Sequence, residues 1–321
     1  MNCYQTPDAG SWKGRPSADR AYLHENIRLL DLSAGDLPKQ ESLTPVLLGY
    51  ACDEGVVRNL GRPGARNGPQ ALRGALGKLP LLREGSLLWD AGDLACTDGD
   101  LETLQQEFSE AVYQLLHCGY FPLAIGGGHD IAFAHFLGLC RAKGPETSIG
   151  ILNFDAHLDL RTPLPRSHSG SPFLQIAHLC KEQGREFHYG CLGVRRDANA
   201  QELWDRATSL GAMTVGREDM EARKLDRVMD RIVQFMEPLD AVYLTIDLDG
   251  FSSAYAPGVS AASPMGFSPE VMMPCLDIII SSGKLLSMDI AELNPGHDRD
   301  AQTAVLAASL VHRLLHFPGL F

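Results

Sequence analysis

Short apolar runs recur along the chain, each ending in a loop rich in glycine or aspartate: Val46–Gly49, Leu87–Trp89, Pro122–Ile125, Ile149–Phe154, Gly190–Val194, Met213–Val215, Ala241–Ile246 and Leu285–Met288. Longer stretches that suit amphipathic helices lie between most of them, such as Leu101–His117, Arg223–Met236 and Glu270–Ser281. This alternation constrains the chain to an α/β fold with a mostly parallel sheet and helices on both faces. The expectation is a three-layer α/β/α architecture of about eight strands. Ala301–His316 has helical periodicity and should cover one face. No repeat, low-complexity tract or clear linker interrupts the sequence. Residues 1–321 are therefore expected to form a single domain, with 1–45 as an N-terminal extension packing on it.

Composition excludes several function classes. A formal net charge of −12 argues against nucleic-acid binding, which needs a basic surface to displace counterions. No segment approaches the apolar run of roughly 20 residues that a membrane helix requires. Met1 to Arg20 is polar and mixed in charge, unlike a signal peptide, so a soluble, cytoplasmic protein is expected. The eight cysteines contain no C-x-x-C pair and suit buried free thiols better than disulfides or thiolate zinc sites.

In open α/β sheets, ligands gather at the carboxyl ends of the strands, and the chemically unusual residues fall there. Asn153-Phe154-Asp155-Ala156-His157-Leu158-Asp159 directly continues an apolar run, although aspartate is poorly suited to strand interiors. If the strand persists, Asp155, His157 and Asp159 project from one face. Asp247 and Asp249 follow Thr245-Ile246 in the same way, and Gly126-Gly127-Gly128 leads a third strand into His129. Carboxylates crowded at the end of a buried sheet repel one another and are costly to desolvate without a partner. No Lys or Arg accompanies them until Arg161. Two divalent cations would balance four aspartates, and histidines would add neutral nitrogen donors. A cysteine-free, oxygen-rich set favours Mn²⁺, with Zn²⁺, Fe²⁺ and Co²⁺ left open. Nucleotide motifs fail: Ile131 stands where G-x-G-x-x-G needs its third glycine, and Gly283-Lys284 is followed by Leu285.

Together these segments resemble the signatures of the arginase/agmatinase (ureohydrolase) family: a Gly-Gly-x-His loop, an Asp-Ala-His-x-Asp strand end and a paired Asp-x-Asp. Further matching pieces are Gly61-Arg62-Pro63-Gly64-Ala65-Arg66-Asn67-Gly68-Pro69 and Met288-Asp289-Ile290-Ala291-Glu292-Leu293-Asn294-Pro295. The likeness runs from about Val46 to the last helix. Within the family it is nearest to the formimidoylglutamase branch of histidine degradation. That likeness rests on Trp12-Lys13-Gly14-Arg15, Asp159-Leu160-Arg161, Ser169-Gly170-Ser171-Pro172-Phe173 and Ala256-Pro257-Gly258-Val259-Ser260-Ala261.

The resemblance implies a binuclear metal hydrolase of linear amidines, with two Mn²⁺ per subunit and a homo-oligomeric assembly. His129, Asp155, Asp159 and Asp247 would bind one ion, and Asp155, His157, Asp247 and Asp249 the other. A hydroxide held between the ions would be the nucleophile, oriented by Asp159. Glu292 would pair with the cationic end of the substrate. Ser169 replaces the histidine that arginases use as a proton shuttle, and the neighbouring His168 is the candidate substitute. Arg161 stands where the family usually has a small polar residue. An arginine repels an arginine or agmatine substrate but clasps a carboxylate by two hydrogen bonds, which favours an anionic amidine such as N-formimidoyl-L-glutamate. Asn199 is a further candidate donor to substrate. Gly250, replacing an aliphatic residue, is expected to loosen local packing. The alternatives are another ureohydrolase acting on a guanidino acid, a non-catalytic metal-binding member, and deacetylase-like chemistry with one zinc.

Overall fold

The computed structural model describes residues 1–82 and 88–321; Leu87, part of the second apolar run, lies outside the described residues. Ten strands form one sheet: β1 (Tyr4–Gln5), β2 (Arg28–Leu29), β3 (Thr44–Ala51), β4 (Trp89–Ala95), β5 (Tyr120–Gly126), β6 (Ile149–Phe154), β7 (His188–Val194), β8 (Met213–Gly216), β9 (Ala241–Asp247) and β10 (Leu285–Ala291). The helices are α1 (Glu54–Arg58), α2 (Gly68–Leu76), α3 (Leu101–His117), α4 (Ile131–Lys143), α5 (Pro172–Glu182), α6 (Gln201–Ser209), α7 (Leu225–Met236), α8 (Pro269–Ser281) and α9 (Gln302–Leu315). The sheet order is β1-β4-β3-β5-β10-β9-β6-β7-β8, with β2 also paired to β4. Among the pairings of these ten strands only β1–β4 is antiparallel.

Alternation along each strand builds the three layers. Leu47 faces one core with Leu244 and Ile246, covered by α2, α7, α8 and α9 through side chains such as Leu72, Ile232, Leu276 and Val311. Val46 and Leu48 face the other with Tyr243, covered by α3, α4 and α5 through Phe108, Leu139 and Phe173. No helix among the described residues is long and apolar enough to cross a membrane. All eight cysteines are free thiols.

Seven of the eight expected runs lie in strands, and of Leu87–Trp89 only Trp89 does, at the start of β4. The sheet exceeds eight strands because residues 1–45 contribute β1 and β2, two residues each. The extension therefore adds to the sheet edge at β4. That strand runs on through Asp90, Gly92 and Asp93, which no apolar pattern announces. Asp90 is tolerated in the interior because Arg73 of α2 grips it by two bonds of 2.8 Å, from Nε to Oδ2 and Nη2 to Oδ1, and reaches Asp93 Oδ1 at 2.7 Å. Trp12 Nε1 donates to Asp90 Oδ2 at 2.7 Å, which ties the N-terminal segment to the same group. Arg73→Ala leaves this carboxylate buried without its cation and is expected to cost about 3–5 kcal/mol of stability, read from urea unfolding. A loss below 1 kcal/mol would contradict the role given to the pair.

Candidate metal centre

β5, β10, β9 and β6 are neighbours in the sheet, and their carboxyl ends meet in one crevice. Consecutive strands β5 and β6 are parted there by β10 and β9, the kind of switch point at which α/β sheets bind ligands. β5 leads through its glycines to His129, β6 ends just before Asp155, β9 ends on Asp247 and β10 ends just before Glu292. Gly127 is dictated by close approach: a Cβ there would sit 1.5 Å from the carbonyl oxygen of Cys52.

The geometry that gathers Asp155, His157 and Asp159 differs from a continued strand. β6 stops at Phe154, and the loop folds around the first aspartate, whose Oδ1 accepts the His157 N–H at 2.7 Å. Asp247 uses the same device on Asp249, Oδ1 to N at 2.8 Å. Asp159 (φ 48°) and Glu292 (φ 66°) adopt the left-handed region, which side chains with a Cβ enter only when their surroundings enforce it. For Glu292 the enforcement includes its N–H, which donates to Gly127 O at 2.8 Å. Gly250 does not loosen the packing, contrary to expectation. A Cβ there would lie 2.7 Å from the Phe267 ring and 3.0 Å from Asp155 Cα, so the glycine lets these loops close together.

Two groups of candidate ligands result: His129, Asp155, Asp159 and Asp247, and Asp155, His157 and Asp249, with ligand atoms inside each group within 4.8 Å of one another. Asp155 belongs to both. Asp247 was expected in both but falls in the first only. His129 Nδ1 lies 3.2, 3.0 and 3.1 Å from Asp155, Asp159 and Asp247 respectively. One ring nitrogen carries at most one proton, so three carboxylates around it do not form an ordinary hydrogen-bond set. Their spacing suits donors on adjacent vertices around an ion with bonds of about 2.1 Å. His157 Nδ1 lies 3.4 Å from Asp155 and 3.2 Å from Asp249. Asp249 Oδ1 and Glu292 Oε2 are buried without a hydrogen-bond partner among the described residues.

The titration behaviour points the same way. Burial pushes Asp247 and Glu292 well above the usual carboxylate range and Asp249 up to about 7, with neighbouring carboxylates adding to each shift. Asp159 is raised by the same causes. Burial acts on Asp155 too, but His129 and His157 outweigh it and hold it below its ordinary value. His129 is raised well above its usual pKa because Asp155, Asp159 and Asp247 overcome its burial, and His157 is raised chiefly by Asp249. Acids forced to keep protons and imidazoles forced to take them mark a cluster short of positive charge. Divalent cations fit this donor set.

A cavity of about 310 Å³ opens over the cluster, lined by His157, Asp159, Asp247, Asp249 and Glu292 and by Arg161 and Ser169. The Arg161 side chain lies against Gly170, and its guanidinium has no hydrogen-bond or ion-pair partner among the described residues. Ser169 Oγ accepts from Asn59 Nδ2 at 3.1 Å. Asn59, Arg62 and Ser260 also line the cavity; Arg62 belongs to the Gly61–Pro69 segment, but no local pattern assigns it a position in the site.

Two candidates lie elsewhere. His168 is absent from the cavity lining: its Nδ1 accepts the Gly170 N–H at 3.2 Å and its Nε2 faces Thr162 O at 3.3 Å. Both nitrogens engage the loop backbone rather than the cavity. Asn199 is also outside the lining. Its Oδ1 accepts from Leu158 N and its Nδ2 donates to Ala156 O and Arg195 O, each at 2.9 Å. It buckles the Asp155–Asp159 loop from behind.

Comparison with known proteins agrees with this geometry. The model of the Arginase family matches residues 44–316. The formimidoylglutamase of Geobacillus thermodenitrificans is 42% identical over 99% of this chain and 98% of its own length. That of Aeromonas salmonicida is 45% identical over 98% and 99%. Among solved structures, a variant of Trypanosoma cruzi formiminoglutamase with Mn²⁺ superposes with a TM-score of 0.74 at 26% identity, covering 88% of this chain and 94% of that one. The crevice of buried acids thus sits in a fold and a sequence of known lineage: the chain belongs to the arginase family.

Proposed function

We propose that this protein hydrolyses N-formimidoyl-L-glutamate to L-glutamate and formamide, with two divalent cations, Mn²⁺ foremost, held by His129, Asp155, His157, Asp159, Asp247 and Asp249. The observation that carries the reading is the polarity of the cavity, acidic at its floor and bearing the unpartnered Arg161 guanidinium on its wall. A substrate with an amidinium at one end and carboxylates at the other matches both. The relatives named formimidoylglutamase support the same choice.

Such cations lower the pKa of a bound water and polarise the carbon it attacks. Glu292 Oε1 accepts the His129 N–H at 3.1 Å, which leaves Oε2 to accept an N–H of the substrate's amidinium. Asp159, on the cavity wall, accepts a hydrogen bond from the attacking water. Water adds to the formimidoyl carbon, the bond to the glutamate nitrogen breaks, and that nitrogen leaves protonated while formamide keeps the other. Arg161 clasps a substrate carboxylate. The reading carries with it a cytoplasmic enzyme of small molecules, assembled from several copies as the family often is.

A panel of N-formimidoyl-L-glutamate, arginine, agmatine and guanidino acids tests it, since a guanidino acid presents the same two charges. Turnover of formimidoylglutamate should exceed the rest, and preference for a guanidino compound would overturn the assignment. Arg161→Ala should raise KM for formimidoylglutamate roughly 10–100-fold, the worth of a hydrogen bond to a charged group, with metal content intact. An unchanged KM refutes the clasp.

A further inference from the structure

Behind the cluster, within the face of the sheet that packs on α3, α4 and α5, runs a file of polar side chains sealed from solvent. Tyr243 and Thr245 on β9 lie beside Ser287 and Asp289 on β10, and Thr245 pairs with Asp289 in register. His135 enters from α4. All five are fully buried, a placement tolerable only when each polar group is hydrogen-bonded. Each is. Thr245 Oγ1 donates to Asp289 Oδ1 at 2.6 Å. Asp289 Oδ2 accepts from Tyr243 OH and lies 2.7 Å from His135 Nδ1. His135 Nε2 lies 2.7 Å from Ser287 Oγ, whose hydroxyl donates to Pro122 O at 2.7 Å.

The order of donors has a consequence at the file's upper end. A hydroxyl has one proton to donate, and the short bond to Asp289 Oδ1 takes the one Thr245 has. The Thr245 oxygen is then an acceptor toward its other neighbour, His129 Nε2, 3.0 Å away. A neutral His129 accordingly keeps its proton on Nε2. Its Nδ1, the atom ringed by Asp155, Asp159 and Asp247, presents a lone pair. In the other tautomer an N–H would occupy the direction a cation needs.

Building on the two-cation reading above, we propose that Asp289, acting through Thr245, is a positioning residue for the metal centre, fixing the tautomer and ring plane of His129. A partner behind a ligating histidine is commonly worth 10–100-fold in metal affinity. The effect should be local. Among the described residues His157, which serves the other ligand group, pairs with Asp155 and Asp249 and makes no hydrogen bond to this file.

The test compares full-length wild type with Thr245→Val, which keeps shape and branching but removes the oxygen, and Thr245→Ser, which restores it. Mn²⁺ affinities are measured by chelator competition, with folding checked by circular dichroism. Wild type should bind two ions. Thr245→Val should lose roughly 10–100-fold at one site and hold the other within about twofold, and Thr245→Ser should restore the first. A folded Thr245→Val chain that binds both ions as tightly as wild type overturns the relay alone. A wild type that binds no pair of ions overturns the two-cation reading and the relay with it. Independently of any variant's folding, ¹⁵N NMR of the Zn²⁺-loaded wild type should find the His129 proton on Nε2. A proton on Nδ1 would refute the proposal.

Discussion

Asp155→Ala should empty both metal positions and lower kcat on the order of 10³-fold or more. Asp155 is the one residue common to the two ligand groups. Its Oδ2 faces His129 and its Oδ1 faces His157. Cations contribute several kcal/mol of charge stabilisation in such sites, and each 1.4 kcal/mol is a factor of ten in rate. Asp249→Ala makes the informative contrast, because Asp249 belongs to one group only and its loss should release one ion of two. Metal content by atomic emission, beside turnover of formimidoylglutamate, reads both variants. An Asp155→Ala chain that retains both ions and near-normal kcat would show that the carboxylate does not serve as a shared ligand.

Removing the ions should make stability fall as pH rises from about 5 to about 8. Asp159, Asp247, Asp249 and Glu292 have folded pKa values raised above the usual range, mainly by burial. Unfolded, such groups release their protons near pH 4. Between that value and the folded pKa, about 7 for Asp249, the folded chain binds more protons than the unfolded chain, and rising pH favours unfolding. His129 and His157 are raised as well. Their contribution is complete below about pH 6.5 and is lost as pH climbs through their folded values, so they act in the same direction. Asp155 is lowered, and its contribution disappears only as pH falls through its folded value, below this window. At 100 times Kd, an ion binding one site stabilises by about 2.7 kcal/mol, which for a chain of this size is roughly 5 °C in Tm. Ions compete with protons for these ligands, so the gap in Tm between Mn²⁺-loaded and chelated protein should widen toward pH 8. A gap that stays constant or narrows would contradict the electrostatics assigned to the cluster.

The central strands could be read from the sequence because a parallel strand covered on both faces is a nearly continuous apolar run; Ile149–Phe154 matches β6 end to end. The far half of β4 could not, since Asp90 is stabilised by Arg73 and Trp12, which lie 17 and 78 residues away. The candidate ligands announced themselves as aspartates where hydrophobic runs stop. Their loop geometry did not, because it depends on Asn199, 41 residues beyond Leu158, and on the close fit of Gly250 to Phe267. Thr245 is an ordinary strand residue and Asp289 an unusual one, but neither shows its role until its neighbours are known. Thr245 meets His129 across 116 residues and Asp289 across 44, and no local pattern encodes either meeting. His168 misled for the converse reason: its closeness in sequence to Ser169 said nothing of the loop backbone that occupies its nitrogens.

Anomalous diffraction at the manganese edge, from crystals grown with Mn²⁺, addresses the paired-cation site most directly. Two peaks are predicted, one among His129, Asp155, Asp159 and Asp247 and one among Asp155, His157 and Asp249. A single peak, or none within reach of Asp155, would contradict it.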